Sequence, residues 1–159
     1  MLEIYQKSLS NPISFEGIGL HSGKNSKITV LPGKEDQGII FKRIDLEQKN
    51  LIKADYKSVT SAKLCTTLEN EYGAKVSTVE HLLAALYIAE IDNAIIEIDN
   101  EEVPIMDGSA KDFLNSLNVA EIKTLSILVS ISFIWLIISN PRVAEPWRVW
   151  APSKGCTNL

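Results

Sequence analysis

Two neighbouring residues near the middle of the chain, Glu80 and His81, have side chains suited to metal-assisted hydrolysis. A neutral imidazole binds zinc, and a nearby carboxylate can take a proton from a water molecule at the same metal. Adjacent residues on a helix point about 100° apart, so the two side chains cannot easily bind one ion together. One residue could instead be a ligand while the other acts on the metal-bound water. Taken alone, the pair is a weak motif, and a surface or partly buried histidine is the favoured interpretation.

The surrounding sequence predicts that this pair lies in the first turn of a helix. The segment KVSTVEHLLAALYIAEIDNAIIEI has apolar residues at helical spacing, and residues 77–80 match a capping box. At this end of a helix the dipole favours a neutral imidazole at His81. A capping Glu80 would reach back to a free backbone N–H and turn away from a metal. We expect Ser77 or Thr78 to cap the helix and Glu80 to face the cleft.

The stretch GIGLHSGK, residues 17–24, looks like a phosphate-binding loop but matches neither phosphate template. Its three glycines are spaced one residue too long for a dinucleotide fingerprint, and Asn25 stands where a Walker loop has Ser or Thr. The following NSKITVLPG has the pattern of a strand, whereas both templates need a helix. The sequence therefore predicts a glycine turn between two strands, which leaves His21 unexplained.

A third dense segment is EEVPIMDGSAKDFLNSL. Asp107 and Gly108 predict a turn, and Ser109 is expected to cap the short helix that follows. A turn and a cap explain the whole pattern. Asp107 is also a candidate to accept the second ring proton of a ligating His81, because metal-bound histidines usually donate that proton to a carboxylate or carbonyl.

Four stretches, GIGLHSGK, LCTTLENEYGAKVSTVEHLLAAL, IDNAIIEID and VPIMDGSA, occur in an order and at separations that resemble the UDP-3-O-acyl-N-acetylglucosamine deacetylases. These enzymes are zinc amidases of lipid A biosynthesis, and the resemblance is to their N-terminal domain over residues 1–123. It implies an α+β fold, with a β-sheet packed on one face by two helices. It also implies a second such domain, with the active site between the two.

The resemblance also assigns roles to individual residues. Glu80 corresponds to the general base that activates water against the acetamide, and His81 corresponds to a zinc ligand. His21 would lie near the cleft as a contact to substrate or to a second metal. Cys65 would lie in the cleft wall, where a buried structural thiol is the favoured interpretation.

The remaining family residues are missing from this sequence. In the family, an H-K-x-x-D motif of the second domain supplies a histidine and an aspartate ligand. A lysine, a threonine and another histidine assist the reaction. This chain has two histidines and none after His81. Because a catalytic zinc normally has three protein ligands, we expect an incomplete Zn²⁺ site and no activity of the isolated chain on UDP-3-O-acyl-N-acetylglucosamine.

Length and composition set the broad class. A chain of 159 residues with 45% hydrophobic residues can bury one core of ordinary size. The formal net charge is −4 with no long block of one sign, so a nucleic-acid partner is not expected. The two cysteines and the absence of a signal-peptide pattern predict a cytoplasmic location.

The sequence changes character at residue 124. Residues 124–139 carry no charge, and 124–159 contain all three tryptophans and half of the prolines. The apolar run is shorter than the ~20 residues that cross a bilayer, so membrane association through it is not favoured. We expect 124–159 to lie outside the family fold, as a shifted reading frame or a fused fragment would. The alternative function is a non-catalytic module that binds a membrane or a partner.

Overall fold

A computed structural model of the chain describes residues 4–129. These residues form two helices and ten strands, which confirms the predicted α+β class. The strands are β1 Tyr5–Leu9, β2 Ile13–Ile18, β3 Asn25–Pro32, β4 Ile39–Arg43, β5 Leu51–Lys53, β6 Val59–Ser61, β7 Thr67–Glu69, β8 Lys75–Ser77, β9 Ala94–Ile98 and β10 Ile122–Leu128. The helices are α1 Glu80–Ile88 and α2 Lys111–Val119.

The main sheet has five strands in the order β2-β3-β9-β4-β5. Strands β4 and β9 are parallel, and the other neighbours are antiparallel. Alternate residues of β3 and β9 are buried, including Ile28, Val30, Ile96 and Ile98. Because successive side chains of a strand point to opposite faces, this alternation turns one face of the sheet toward the core.

Both helices contribute to the same core as the buried face of the sheet. Leu82 and Leu86 of α1 are buried, as are Phe113 and Leu117 of α2. The ring of Phe113 meets that of Phe15 on β2 edge to face, with centroids 4.8 Å apart. A spacing of four residues puts the two side chains of each pair on one side of their helix.

Helix α1 is shorter than the predicted helical segment, whose two ends form β8 and β9 instead. The helix stops because Glu90 adopts a left-handed conformation, with φ at 56°. The N–H of Ile91 donates to the carbonyl of Leu86 at 2.9 Å, and that of Glu90 donates to Tyr87 at 3.0 Å. This pair of bonds is a Schellman motif, which ends the helix with a non-glycine residue in the usual glycine position.

Two smaller sheets complete the described part of the chain, β6-β7-β8 and β1-β10. In the second, Lys7 pairs with Thr124 and Tyr5 with Leu128. Strand β10 therefore crosses the predicted division at residue 123. The rest of the predicted apolar run and tail, from residue 130, lies outside the described residues, and the division stays a prediction. Within 4–129, no helix has the length and apolarity needed to cross a membrane.

Candidate active site

Helix α1 begins without the predicted side-chain cap. The N-cap residue is Val79, with φ at −87°, and no side chain bonds to the helix start from it. Ser77 is occupied elsewhere, because its N–H and hydroxyl both donate to the carbonyl of Glu101, at 2.8 and 3.3 Å. Thr78 has φ at 56°, and its hydroxyl donates to the Glu102 carboxylate at 2.9 Å. The prediction that Ser77 or Thr78 caps the helix is therefore wrong.

Glu80 is the first residue of α1, and its carboxylate is held by the segment between β6 and β7. Oε1 accepts a hydrogen bond from the backbone N–H of Thr66. Glu80 is an exposed residue. Desolvation of its carboxylate would raise its pKa, but hydrogen bonds from its own N–H and from Thr66 outweigh this effect and lower the pKa. Glu80 is therefore ionised at neutral pH. It forms no capping box, because it is the first residue of α1 and a capping box needs a carboxylate at the third.

His81 is buried at the interface of the two helices, with 8% of its surface exposed. Its Nε2 lies 2.9 Å from the carbonyl oxygen of Pro104, and its ring meets Phe113 edge to face at 5.1 Å. Because a carbonyl oxygen only accepts, Nε2 donates in this contact, and in the neutral form of the ring the lone pair is therefore on Nδ1. The ring is thus fixed in one tautomer.

The Pro104 carbonyl fills the role that was predicted for Asp107 beside the ring of His81. Asp107 is exposed, and its Oδ1 accepts from the N–H and the hydroxyl of Ser109 at 2.9 and 2.7 Å. These bonds lower the pKa of Asp107, with the hydroxyl of Ser109 as the largest cause. The hydroxyl of Ser109 accepts from the N–H of Lys111 at 3.1 Å. It thereby bonds to the first residue of α2, although the N-cap position belongs to Ala110.

The glycine stretch connects two strands, as predicted. Strands β2 and β3 pair antiparallel, and residues 19–24 form the loop between them. The N–H of Gly19 donates to the carbonyl of Lys24 at 2.9 Å, and that of Gly23 donates to Gly19 at 3.0 Å. The side chain of His21 is exposed at the outside of this loop.

Glu102 is a central residue of the site that the sequence did not reveal. It is 2% exposed, and its carboxylate accepts from the N–H groups of His21 and Ser22, at 2.9 and 2.8 Å, and from the hydroxyl of Thr78. Burial alone would raise its pKa, but the bonds from His21, Ser22 and Thr78 lower it to about 2. Glu102 is 81 residues from His21 in the chain, so no local pattern could indicate the contact.

Gly19 makes room for this carboxylate. A Cβ at Gly19 would lie 2.5 Å from Oε2 of Glu102 and 2.3 Å from the hydroxyl oxygen of Ser22. Any other residue would displace one of these groups. The anion held by the backbone N–H groups of the glycine loop is therefore a carboxylate of the protein itself, in a concavity of the kind that binds external anions elsewhere.

Cys65 is a half-buried free thiol in the segment between β6 and β7. Its Sγ lies 4.0 Å from the hydroxyl oxygen of Thr67. The residue between them, Thr66, donates its N–H to Glu80. Cys65 therefore directly precedes, in the chain, the residue whose N–H binds the Glu80 carboxylate.

These contacts connect the predicted residues in two groups. Glu80 and His81 are adjacent at the start of α1, with the segment containing Cys65 against Glu80. The loop that carries His21 is joined to the turn before α1 through Glu102. Within residues 4–129, no three side chains of the metal-binding types His, Cys, Asp and Glu are grouped so as to hold an ion.

Comparison with known proteins gives one consistent result. The family described as LpxC, UDP-3-O-acyl N-acetylglycosamine deacetylase, matches residues 6–149. A protein of Geotalea uraniireducens is 47% identical over 122 residues, which cover 77% of this chain and 39% of that protein. A protein of Colwellia psychrerythraea is 45% identical over 148 residues, which cover 93% of this chain and 47% of that protein. A protein of Vibrio cholerae is 46% identical over 123 residues, which cover 77% of this chain and 40% of that protein.

All three relatives carry the name UDP-3-O-acyl-N-acetylglucosamine deacetylase. The chain spans less than half of the length of each of them. Both the family match and the alignment to the Colwellia protein extend past residue 123.

Proposed function

The chain belongs to the UDP-3-O-acyl N-acetylglycosamine deacetylase family, and we propose that it provides half of a zinc-dependent amidase. The complete enzyme removes the acetyl group from UDP-3-O-acyl-N-acetylglucosamine in lipid A biosynthesis. The share of the relatives that the chain spans, 39 to 47%, supports its assignment as the N-terminal half. A cytoplasmic location is part of the same proposal, since nucleotide-linked sugars are intracellular metabolites.

In this proposal His81 is a zinc ligand. Its ring fits that role, because the Pro104 carbonyl fixes the tautomer at Nε2 and leaves the lone pair of Nδ1 for a metal. A backbone carbonyl is a common partner for the second nitrogen of a ligating histidine. The contact with Phe113 further limits rotation of the ring. The other ligands would come from the part of the enzyme that this chain does not span, since a zinc site needs three.

Glu80 is the general base of the proposed reaction. When bound, zinc would supply Lewis acidity toward the acetamide carbonyl and the attacking water. Glu80 takes the proton from that water as it attacks and can return it to the departing amine. The low pKa of Glu80 keeps the carboxylate unprotonated at neutral pH. The Thr66 N–H holds one oxygen of the carboxylate in place during the transfer.

His21 and Cys65 complete the proposal as cleft residues. The exposed imidazole of His21 is available to contact substrate or a second metal. Cys65 lines the same cleft beside Thr66, with its thiol in a structural role. Asp107, which bonds to Ser109, is left as a candidate contact to substrate.

The observation that carries the proposal is the adjacency of an ionised carboxylate, Glu80, and a buried, tautomer-fixed imidazole, His81. To test it, residues 1–128 can be fused to the portion of the Geotalea uraniireducens protein that this chain does not match. We expect the fusion to bind zinc and to release acetate from UDP-3-O-acyl-N-acetylglucosamine, and residues 1–128 alone to release none. A folded, zinc-loaded fusion without turnover would contradict the proposal.

A further inference from the structure

The turn before α1 contains a strained residue. Thr78 is β-branched and has φ at 56°, a conformation that such residues rarely adopt. It is 5% exposed, and the strand before it is held to the 101–103 segment, since the N–H of Val103 donates to the carbonyl of Ser77 at 3.1 Å. A strained conformation persists only when surrounding contacts determine it. The bond from the Thr78 hydroxyl to Glu102 is the side-chain contact that does so here.

The same carboxylate determines the conformation of the 19–24 loop. Oε2 of Glu102 accepts from the N–H of Ser22, and Oε1 accepts from the N–H of His21. The vacant Cβ position of Gly19 lets the carboxylate approach the loop backbone. Glu102 thus bonds on one side to the loop that carries His21, and on the other to the turn that leads into Glu80.

We propose that Glu102 is a positioning residue, whose single carboxylate joins the 19–24 loop to the Thr78 turn and so sets His21 relative to Glu80 and His81. Its functional meaning rests on the proposed deacetylase function. The mechanical connection does not, since every contact in it lies within the described chain.

A carboxylate is needed at this place because all three partners donate. An ionised Glu offers only acceptors, whereas Gln replaces one oxygen by an NH₂ group. The hydroxyl of Thr78 can rotate to accept from that group, but the N–H groups of His21 and Ser22 cannot. In Glu102→Gln at least one backbone N–H donor of the loop therefore faces another donor. We expect the unfolding equilibrium constant to rise on the order of tenfold or more.

The connection can be tested by NMR on the free chain, without metal or substrate. In Glu102→Gln we expect the amide signals of both His21 and Glu80 to shift. Glu101→Gln is the matched control: Glu101 is exposed, and its side chain forms an ion pair with Arg43, at 3.6 Å. The control should leave both signals in place. Equal shifts in the control, or shifts at one end only, would overturn the proposal.

A second variant covers the case in which Glu102→Gln does not fold. Thr78→Val keeps the β-branched shape and removes only the hydroxyl donor. If the carboxylate transmits position, the amide signals of His21 and Ser22 should shift, because both N–H groups bond to the same carboxylate as Thr78. Changes confined to residues near Thr78 would overturn the proposal.

A double variant tests whether Glu102 positions the Thr78 turn or only stabilises the fold. Thr78→Gly removes the strain, so the Glu80 signal in Thr78→Gly/Glu102→Gln should return toward its wild-type position while the His21 signal does not. In the fusion enzyme, Glu102→Gln should lower kcat, and Thr78→Gly should restore part of the loss. If both signals in the free chain behave as expected and the fusion has no activity, the deacetylase proposal fails and the connection stands. If neither amide signal responds to Glu102→Gln, the connection fails.

Discussion

Gly19 and Glu102 share one small space, since a Cβ on the glycine would lie 2.5 Å from Oε2 of the carboxylate. This relationship explains why the glycine loop resembles an anion site without matching a phosphate template. Its N–H groups at His21 and Ser22 donate to a carboxylate that also accepts from Thr78, in the turn before Glu80. The loop therefore belongs to the framework of the candidate site.

Gly19→Ala should destabilise the chain, because the added Cβ collides with both Ser22 and Glu102. Overpacking of this kind costs about 1–3 kcal/mol. The measurement is urea unfolding near neutral pH. Gly23→Asn is a suitable control, since Gly23 has φ at 64° with open space around it, and Asn tolerates that conformation. If Gly19→Ala has the same unfolding free energy as wild type, the predicted collision of the added Cβ with Ser22 and Glu102 is contradicted.

The Glu102 carboxylate should make the free energy of unfolding depend on pH in the acidic range. Its pKa falls from 4.5 to about 2 on folding, so its contribution is present above the unfolded value and is lost as pH falls from about 4.5 toward 2. A shift of this size corresponds to roughly 3 kcal/mol. The test compares wild type with Glu102→Gln by unfolding near pH 7 and at about pH 2.5.

We expect the stability difference between the two proteins to shrink at the lower pH. Other acidic groups titrate in both proteins, so the difference between them isolates Glu102. A difference that is equal at both pH values would show that the carboxylate is not held by these bonds.

Glu80 should titrate below the ordinary glutamate value because of its hydrogen bonds. Thr66→Pro removes the backbone donor, and the remaining desolvation should then move the pKa of Glu80 upward. Carboxyl-carbon NMR measures both values. Glu90 provides an internal control, since Lys7, and not Thr66, lowers its pKa. An ordinary pKa for Glu80 in the wild-type chain would argue against the Thr66 contact.

Local patterns predicted much of this arrangement. The spacing of Val79, Leu82 and Leu86 predicted α1, because contacts one turn apart are encoded within a few residues. The β2-β3 turn followed from glycines between two strand patterns. The helix end was not predictable in the same way, because Glu90 stands where a glycine would have marked it.

The errors came from contacts between distant segments. Ser77 or Thr78 was predicted to cap α1, but Thr78 bonds to Glu102, 24 residues away, and the strained turn that results leaves Val79 at the N-cap. Similarly, the partner of His81 is the Pro104 carbonyl, and a backbone group leaves no signature in the sequence. Glu80 and His81 were singled out by residue type and by the family resemblance, and their roles stay a prediction.

The proposed roles of Glu80 and His81 are tested most directly by substitution in the fusion enzyme. Glu80→Gln should retain bound zinc and lose about 10²- to 10⁴-fold in kcat, whereas His81→Ala should lose the zinc. Glu90→Gln, at the opposite end of α1, should leave both quantities unchanged. A Glu80→Gln enzyme that turns over UDP-3-O-acyl-N-acetylglucosamine at the wild-type rate would contradict the account.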